Sequence, residues 1–178
     1  TLSIEAEKAG ADAVLVVSPY YNKATQKGLI ESFPAIADIS TKPVILYNVP
    51  SRTSVNIMPE TYKELAQHKN IIAVKEADSN MVKLQKSIAL CENKLDFYIG
   101  NDDLISLGCA TGCKGVISVL SNILPYYTHK MAFYGASGNN VLASEMQINI
   151  LDLVESLFSD VNPIPVKTAL EYLYGIIS

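Results

Sequence analysis

Short β-branched runs alternate with longer segments of helical period along the first two thirds of the chain. The runs are Ala13-Val-Leu-Val-Val17, Pro43-Val-Ile-Leu-Tyr47, Ile71-Ile-Ala-Val-Lys75, Leu95-Asp-Phe-Tyr-Ile99 and Gly115-Val-Ile-Ser-Val119. Most are apolar at odd and even positions alike, as in strands of a parallel sheet covered by helices. Between them, residues 25–39 place Leu29, Ile30, Phe33, Ile36 and Ala37 on one helical stripe. Residues 59–67 start on a proline, 79–90 on a capping residue, and 103–110 follow an Asn-Asp pair, all helix-start signals. The spacing is that of compact βαβ units. Beyond the fifth run, residues 125–134, 141–158 and 166–174 read as helices. The segments 135–140 and 159–165, rich in Gly, Asn and Pro, read as breaks. Residues 1–120 are therefore expected to form five βα units, and 121–178 a trailing helical region.

Five βα units suit an open doubly wound sheet or part of a closed barrel. No G-x-G-x-x-G follows the first strand, so the dinucleotide-binding reading has no support. Nearly every strand instead ends in a polar cluster: residues 18–22, 47–52, 75–78, 100–103 and 118–122. A β/α barrel gathers the carboxyl ends of its strands on one rim, where chemistry sits. The expected fold is thus α/β, a partial (β/α)8 TIM barrel with C-terminal helices.

Composition narrows the partners. Fourteen Lys and Arg against eighteen Asp and Glu give a net charge of −4, with no basic block. Nucleic acid is a poor partner for such a surface. No apolar stretch reaches the roughly 18 residues of a spanning helix, so a membrane role is not expected. Three cysteines argue against a disulfide scaffold and for a reducing, cytoplasmic setting. There is no signal peptide and no initiator Met, and residues 1–10 read as the tail of a helix stopped at Gly10. The chain is expected to be a piece of something longer.

Lys75 carries the sharpest chemical signal. Four apolar residues bring its ammonium to a strand end, and desolvation there favours a neutral, nucleophilic amine. Snorkelling to solvent, with Glu76 as partner, is the competing reading. Tyr47 ends the neighbouring strand, within reach of Lys75 if the two strands pair at ~4.8 Å. Its phenol could relay protons or only edge the core. Arg52, beyond Pro50, is a cationic fork suited to a carboxylate, or a plain surface arginine. Tyr20 and Tyr21 flank the first strand's rim and point oppositely. Asp102 and Asp103 read better as a cap for the following helix than as metal ligands. His68 and His129 are isolated, without a ligand partner at helical spacing, and Cys109 and Cys113, four apart with no further Cys or His nearby, read as packing residues.

Taken in order, the segments Ser18-Pro-Tyr-Tyr-Asn-Lys23, Tyr47-Asn-Val-Pro-Ser-Arg-Thr53, Val74-Lys-Glu-Ala77, Gly100-Asn-Asp-Asp103, Gly115-Val-Ile-Ser118 and Asn162-Pro-Ile-Pro-Val-Lys167 resemble the dihydrodipicolinate synthase family, within the wider N-acetylneuraminate lyase superfamily. The resemblance implies a class I aldolase-type lyase. In it Lys75 would condense with pyruvate, and the enamine would attack aspartate semialdehyde on the diaminopimelate route to lysine. It further implies that Tyr47 relays protons, that Arg52 holds the aldehyde's carboxylate, and that Tyr21 is donated to a neighbouring subunit's relay. Gly100 and Ile117 match backbone positions lining the pyruvate pocket, and Tyr20 matches a residue near a lysine-feedback site. The family pattern is a homotetramer without metal or cofactor. Arg52 favours the synthase branch over sialic acid lyases, and a related aldolase acting on a sialic acid or keto-deoxy sugar acid is the alternative that the resemblance leaves.

Three departures stand out: Ser54 and Cys113 replace usual glycines, and Ile99 replaces a common Ser. By the same resemblance the five strands correspond to the family's strands four to eight. Three βα units, with a threonine of the proton relay, are absent, so the chain alone is expected to be incompetent or dependent on another copy.

Overall fold

A computed structural model describes residues 2–175. The strands are β1 (Val14–Val17), β2 (Val44–Asn48), β3 (Ile71–Glu76), β4 (Asp96–Ile99) and β5 (Gly115–Val116). The helices are α1 (Leu2–Lys8), α2 (Gln26–Ile39), α3 (Pro50–Thr53), α4 (Pro59–Leu65), α5 (Met81–Cys91), α6 (Ile105–Thr111), α7 (Pro125–Ala136), α8 (Asn140–Ile148), α9 (Leu151–Leu157) and α10 (Ile164–Tyr174). The strands lie side by side in sequence order, β1-β2-β3-β4-β5, with β1–β2 and β2–β3 paired in parallel. A doubly wound sheet reverses its strand order at a switch point. This sheet does not, so its topology is that of part of a β/α barrel.

The chain forms two compact units, residues 1–98 and 99–178. The first carries α1 to α5. On β2, Val44, Leu46 and Asn48 are buried, while Ile45 and Tyr47 are half-buried. One face of the sheet thus packs under helices and the other is more open. Leu29, Phe33 and Ala37 of α2, Tyr62 and Leu65 of α4, and Leu84 and Cys91 of α5 supply the buried helical side. Tyr62 and Phe97 meet edge to face at 5.5 Å between ring centres. Caps fix the starts of two helices. Thr25 accepts from the Gly28 N–H ahead of α2, and Asn80 accepts from the Lys83 N–H ahead of α5. Gly10 adopts φ +98° just after α1, the conformation its stop signal requires.

The second unit departs from the sequence pattern in four places, each for a tertiary reason. The fifth strand, expected over 115–119, stops at Val116. The Asp102 carboxylate accepts from the N–H groups of Val119 (3.0 Å) and Leu120 (2.7 Å), which draws the chain into a 3₁₀ turn over Leu120–Asn122. Asp102 therefore caps a turn far along the chain and not the helix that follows it. The single helix expected over 141–158 is two, α8 and α9, broken at Asn149 and Ile150. Just before the break, buried Gln147 is tied to the Asp102 carbonyl (2.8 Å) and the Ser106 N–H (3.1 Å). Within it, Ile150 turns inward to a buried position. Gly135, expected in a turn, lies inside α7. A Cβ there would stand 2.9 Å from the Cys109 Cβ, so glycine is what lets α7 approach α6.

Candidate active site

The pairing of β2 with β3 builds the site. Tyr47 lies opposite Lys75, and Asn48 lies opposite Glu76. Neighbouring residues of a strand face opposite ways. Tyr47 and Lys75 therefore share the more open face, and Asn48 and Glu76 share the helix-covered one. On the open face the Lys75 Nζ sits 4.5 Å from the centre of the Tyr47 ring, within cation–π range. Burial raises the pKa of the Tyr47 phenol, and the positive charge of Arg52 partly opposes that rise. At neutral pH the phenol is protonated and able to donate.

Arg52 comes not from an irregular loop but from a one-turn helix, α3, begun by Pro50. Its side chain is exposed. Ser54 ends that turn with φ +54°, donating its N–H to the Pro50 carbonyl at 2.9 Å. This is the position where the resemblance led us to expect glycine, and here a serine holds the left-handed conformation. Ile99 and Cys113, the other departures, do not adopt positive φ, whereas Gly112 does, at +121°. Tyr20 and Tyr21 lie beyond β1 and are 67% and 90% exposed. Gly100 and Ile117 belong to the second unit, where the Ile117 N–H donates to the Ile99 carbonyl at 2.9 Å.

Glu76 is not the partner of Lys75. It is 0% exposed and belongs to a network on the other face. Its Oε1 accepts from Asn48 Nδ2 (2.7 Å) and the Asp78 N–H (2.9 Å), and its Oε2 accepts from the Tyr62 hydroxyl (2.8 Å). The Lys83 ammonium stands 3.7 Å from Glu76 and 2.9 Å from Asp78. It also donates to the Ile57 carbonyl (3.2 Å) and to Asn56 Oδ1. Asn48 is satisfied on both sides: Nδ2 also donates to Asn56 Oδ1 (2.9 Å), and Oδ1 accepts from the Ile57 N–H (3.1 Å). Burial pushes the Glu76 carboxyl above its usual range, with Lys83 and the hydrogen bonds opposing. The Tyr62 phenol is pushed well up by burial and by Glu76. The net effect on Asp78 is opposite: its bonds from Asn56 and Lys83 outweigh partial burial and lower its pKa. Strand alternation was the signal that could have separated Lys75 from Glu76 in the sequence. The partners on α4, α5 and residues 56–57 had no local signal.

Elsewhere His68 pairs with Asp38 at 3.1 Å, and His129 packs near Phe133. Cys91, Cys109 and Cys113 are buried and not joined by disulfides, and burial pushes the pKa of the first two up to about 11. Among the described residues no group of three or more His, Cys, Asp or Glu side chains is placed to hold a metal ion. Nor is any described helix long and apolar enough to cross a membrane.

The profile of the dihydrodipicolinate synthetase family matches residues 1–177. A 4-hydroxy-tetrahydrodipicolinate synthase of Clostridium acetobutylicum is 51% identical over 97% of this chain and 59% of its own. A dihydrodipicolinate synthase crystal structure superposes with a TM-score of 0.91 at 45% identity, over 96% of this chain and 59% of its own. A dihydrodipicolinate synthase of Acinetobacter baumannii, described as complexed with pyruvate, gives 0.94 at 37% identity, over 99% of this chain and 60% of its own. The chain thus spans about three fifths of the length of the relatives it matches.

Proposed function

The chain belongs to the dihydrodipicolinate synthetase family, and from that premise we propose that it carries the Schiff-base half of a pyruvate-dependent lyase site, centred on Lys75. The neutral Lys75 amine adds to the pyruvate ketone. The carbinolamine loses water to give an iminium, and loss of a methyl proton gives the enamine nucleophile. Carbon–carbon bond formation with the aldehyde of aspartate semialdehyde follows, and cyclisation with release of the lysine gives 4-hydroxy-tetrahydrodipicolinate. The Schiff base is itself the electron sink, so the scheme calls on no cofactor.

The observation that carries this reading is the Tyr47–Lys75 pair. An amine and a protonated phenol share one open face at the carboxyl ends of adjacent strands, with Nζ 4.5 Å from the ring centre. Tyr47 is then the proton donor and acceptor for carbinolamine dehydration. Arg52, one helical turn beyond β2, is assigned the carboxylate of the aldehyde substrate. Gly100 and Ile117 are assigned backbone contacts to pyruvate. The exposed Tyr21 is assigned to a neighbouring subunit's proton relay and Tyr20 to a feedback site for lysine, in a homo-oligomer of the family's tetrameric kind working in the cytoplasm.

The test is borohydride trapping with pyruvate, read by intact mass and peptide mapping. A single reduced adduct on Lys75, absent from Lys75→Ala, is the expected result. A folded sample with no adduct would mean that the chain does not form the site and is a non-catalytic relative. An aldehyde screen follows. Turnover of aspartate semialdehyde supports the synthase reading, whereas turnover of sugar-acid aldehydes reassigns the chain to a related aldolase.

A further inference from the structure

The β2–β3 ladder is irregular just upstream of the site. Val44 pairs with Ile71 but Ile45 pairs with Ala73, so Ile72 is a bulge with no partner. The residues around it, Ile71 to Val74, are apolar on both faces and select no register by themselves. Yet register decides everything here. A slip of one residue would carry Lys75 off the face of Tyr47 and into the helix-covered side. Polar groups that distinguish the faces occur only at the strand ends, and on the covered side they are Asn48 and Glu76.

We propose that the Asn48–Glu76 bridge is a register lock for the Schiff-base site, and that Glu76 is a positioning residue acting through β3 on Lys75. This rests on the reading of Lys75 given above. The bridge joins the two residues directly after Tyr47 and Lys75, across the same strand pair, at 2.7 Å. The bonds that join the β2 side to the β3 side form in this register: Asn48 and Tyr62 to Glu76, Asn56 to Asp78, and Lys83 to the Ile57 carbonyl. On the β2 side, the Ile57 N–H and Asn56 hold the Asn48 amide, whose Nδ2 donates across the pair to Glu76. A buried carboxylate moved away from these donors has no other source of compensation, so the network rejects the neighbouring registers. The Ala77 N–H continues the ladder past the bridge, donating to the Asn48 carbonyl at 2.9 Å. The open-face pair is thereby held by bonds that face away from any substrate.

The experiment uses the full chain with Glu76→Gln, Tyr62→Phe and, as a control for lost stability, Leu157→Ala in the second unit. Two readouts are taken: the pyruvate–borohydride trapping rate at saturating pyruvate, and the pH profile of Lys75 labelling by a trace amine reagent, resolved by peptide mass. Glu76→Gln is expected to lower the trapping rate constant about tenfold and Tyr62→Phe about threefold, the scale of small misplacements of a reacting group. The final adduct amplitude and the half-saturating pyruvate concentration stay near wild type, and the labelling profile of Lys75 shifts in both variants. Leu157→Ala lowers thermal stability without changing the rate constant or the profile. Folded Glu76→Gln and Tyr62→Phe proteins that trap and label Lys75 as wild type does would overturn the proposal. Should wild type give no pyruvate adduct, the Schiff-base reading fails by itself. The labelling arm then decides alone: a shifted profile upholds the lock and an unchanged one removes it. Should Glu76→Gln not fold, Tyr62→Phe carries the test, since its ring keeps the contact with Phe97.

Discussion

The two faces of the β2–β3 pair differ in what they ask of the same backbone. On the open face, Tyr47 and Lys75 are half-buried and meet through a cation and a ring. One step along each strand, Asn48 and Glu76 are fully buried and joined by a saturated network of hydrogen bonds. The first face keeps an amine accessible for chemistry. The second spends burial and charge on fixing where that amine stands. The contrast teaches that reactivity and rigidity are divided here between alternate residues of one strand, not between distant parts of the molecule.

The comparison breaks most completely at Lys75. Lys75→Ala is expected to abolish pyruvate trapping while leaving the far-UV circular dichroism unchanged, since the side chain is only half-buried on the open face. Tyr47→Phe keeps the ring beside the Lys75 amine but removes the hydroxyl proposed as the proton relay. Trapping should slow by about 100-fold, measured as the rate of adduct formation by quenched mass spectrometry.

On the covered face the expected losses are in stability. Lys83→Met takes the cation from between Glu76 and Asp78 and leaves the Glu76 carboxylate buried without it. A loss of about 3–5 kcal/mol should appear in urea unfolding. The pH dependence sharpens the same point. Because burial raises the folded-state pKa of Glu76, the folded chain holds its proton more tightly than the unfolded chain does. This group's contribution to stability therefore falls as pH rises from the unfolded value of 4.5 through the raised folded one. Asp78, with a lowered pKa, contributes in the opposite sense: its stabilisation is present above 3.8 and is lost as pH falls through its folded value. The charged and titratable groups facing Glu76 are Lys83, Asp78 and Tyr62. In Glu76→Gln the decline of stability with rising pH above 4.5 should flatten, as read from urea midpoints across that range.

The smallest effect lies at the helix turn that carries Arg52. Ser54 occupies a left-handed conformation that costs a residue with a Cβ about 1–2 kcal/mol, against which glycine's greater unfolded-state freedom is set. Ser54→Gly should stabilise by about 0.5–1 kcal/mol, seen as a higher melting temperature with trapping unchanged.

Much of this was legible in the sequence because it depends on local period. Apolar runs gave the five strands to within a few residues, and helical stripes gave α2, α4, α5, α7 and α10. Lys75, Tyr47 and Arg52 stood out because each follows an apolar strand. Local period could not reveal where a strand would stop when its N–H groups were claimed from afar, as Asp102 claims those of Val119 and Leu120. Nor could it separate α8 from α9 around the tethered Gln147, or place Gly135 inside a helix contact instead of a turn.

What the sequence by itself determined is the alternation of elements and the residue types at the strand ends, which follow from side-chain chemistry at fixed short spacings. The family was legible there through the resemblance of the ordered motifs. The tertiary structure alone decided that Ile72 is bulged out of the ladder and that Glu76 turns its back on Lys75 to join Asn48, Tyr62 and Lys83. Those are choices among partners far apart in the chain. They are settled by contacts such as those that join Glu76 to Asn48, Tyr62 and Lys83, and those contacts exist only once the chain has folded.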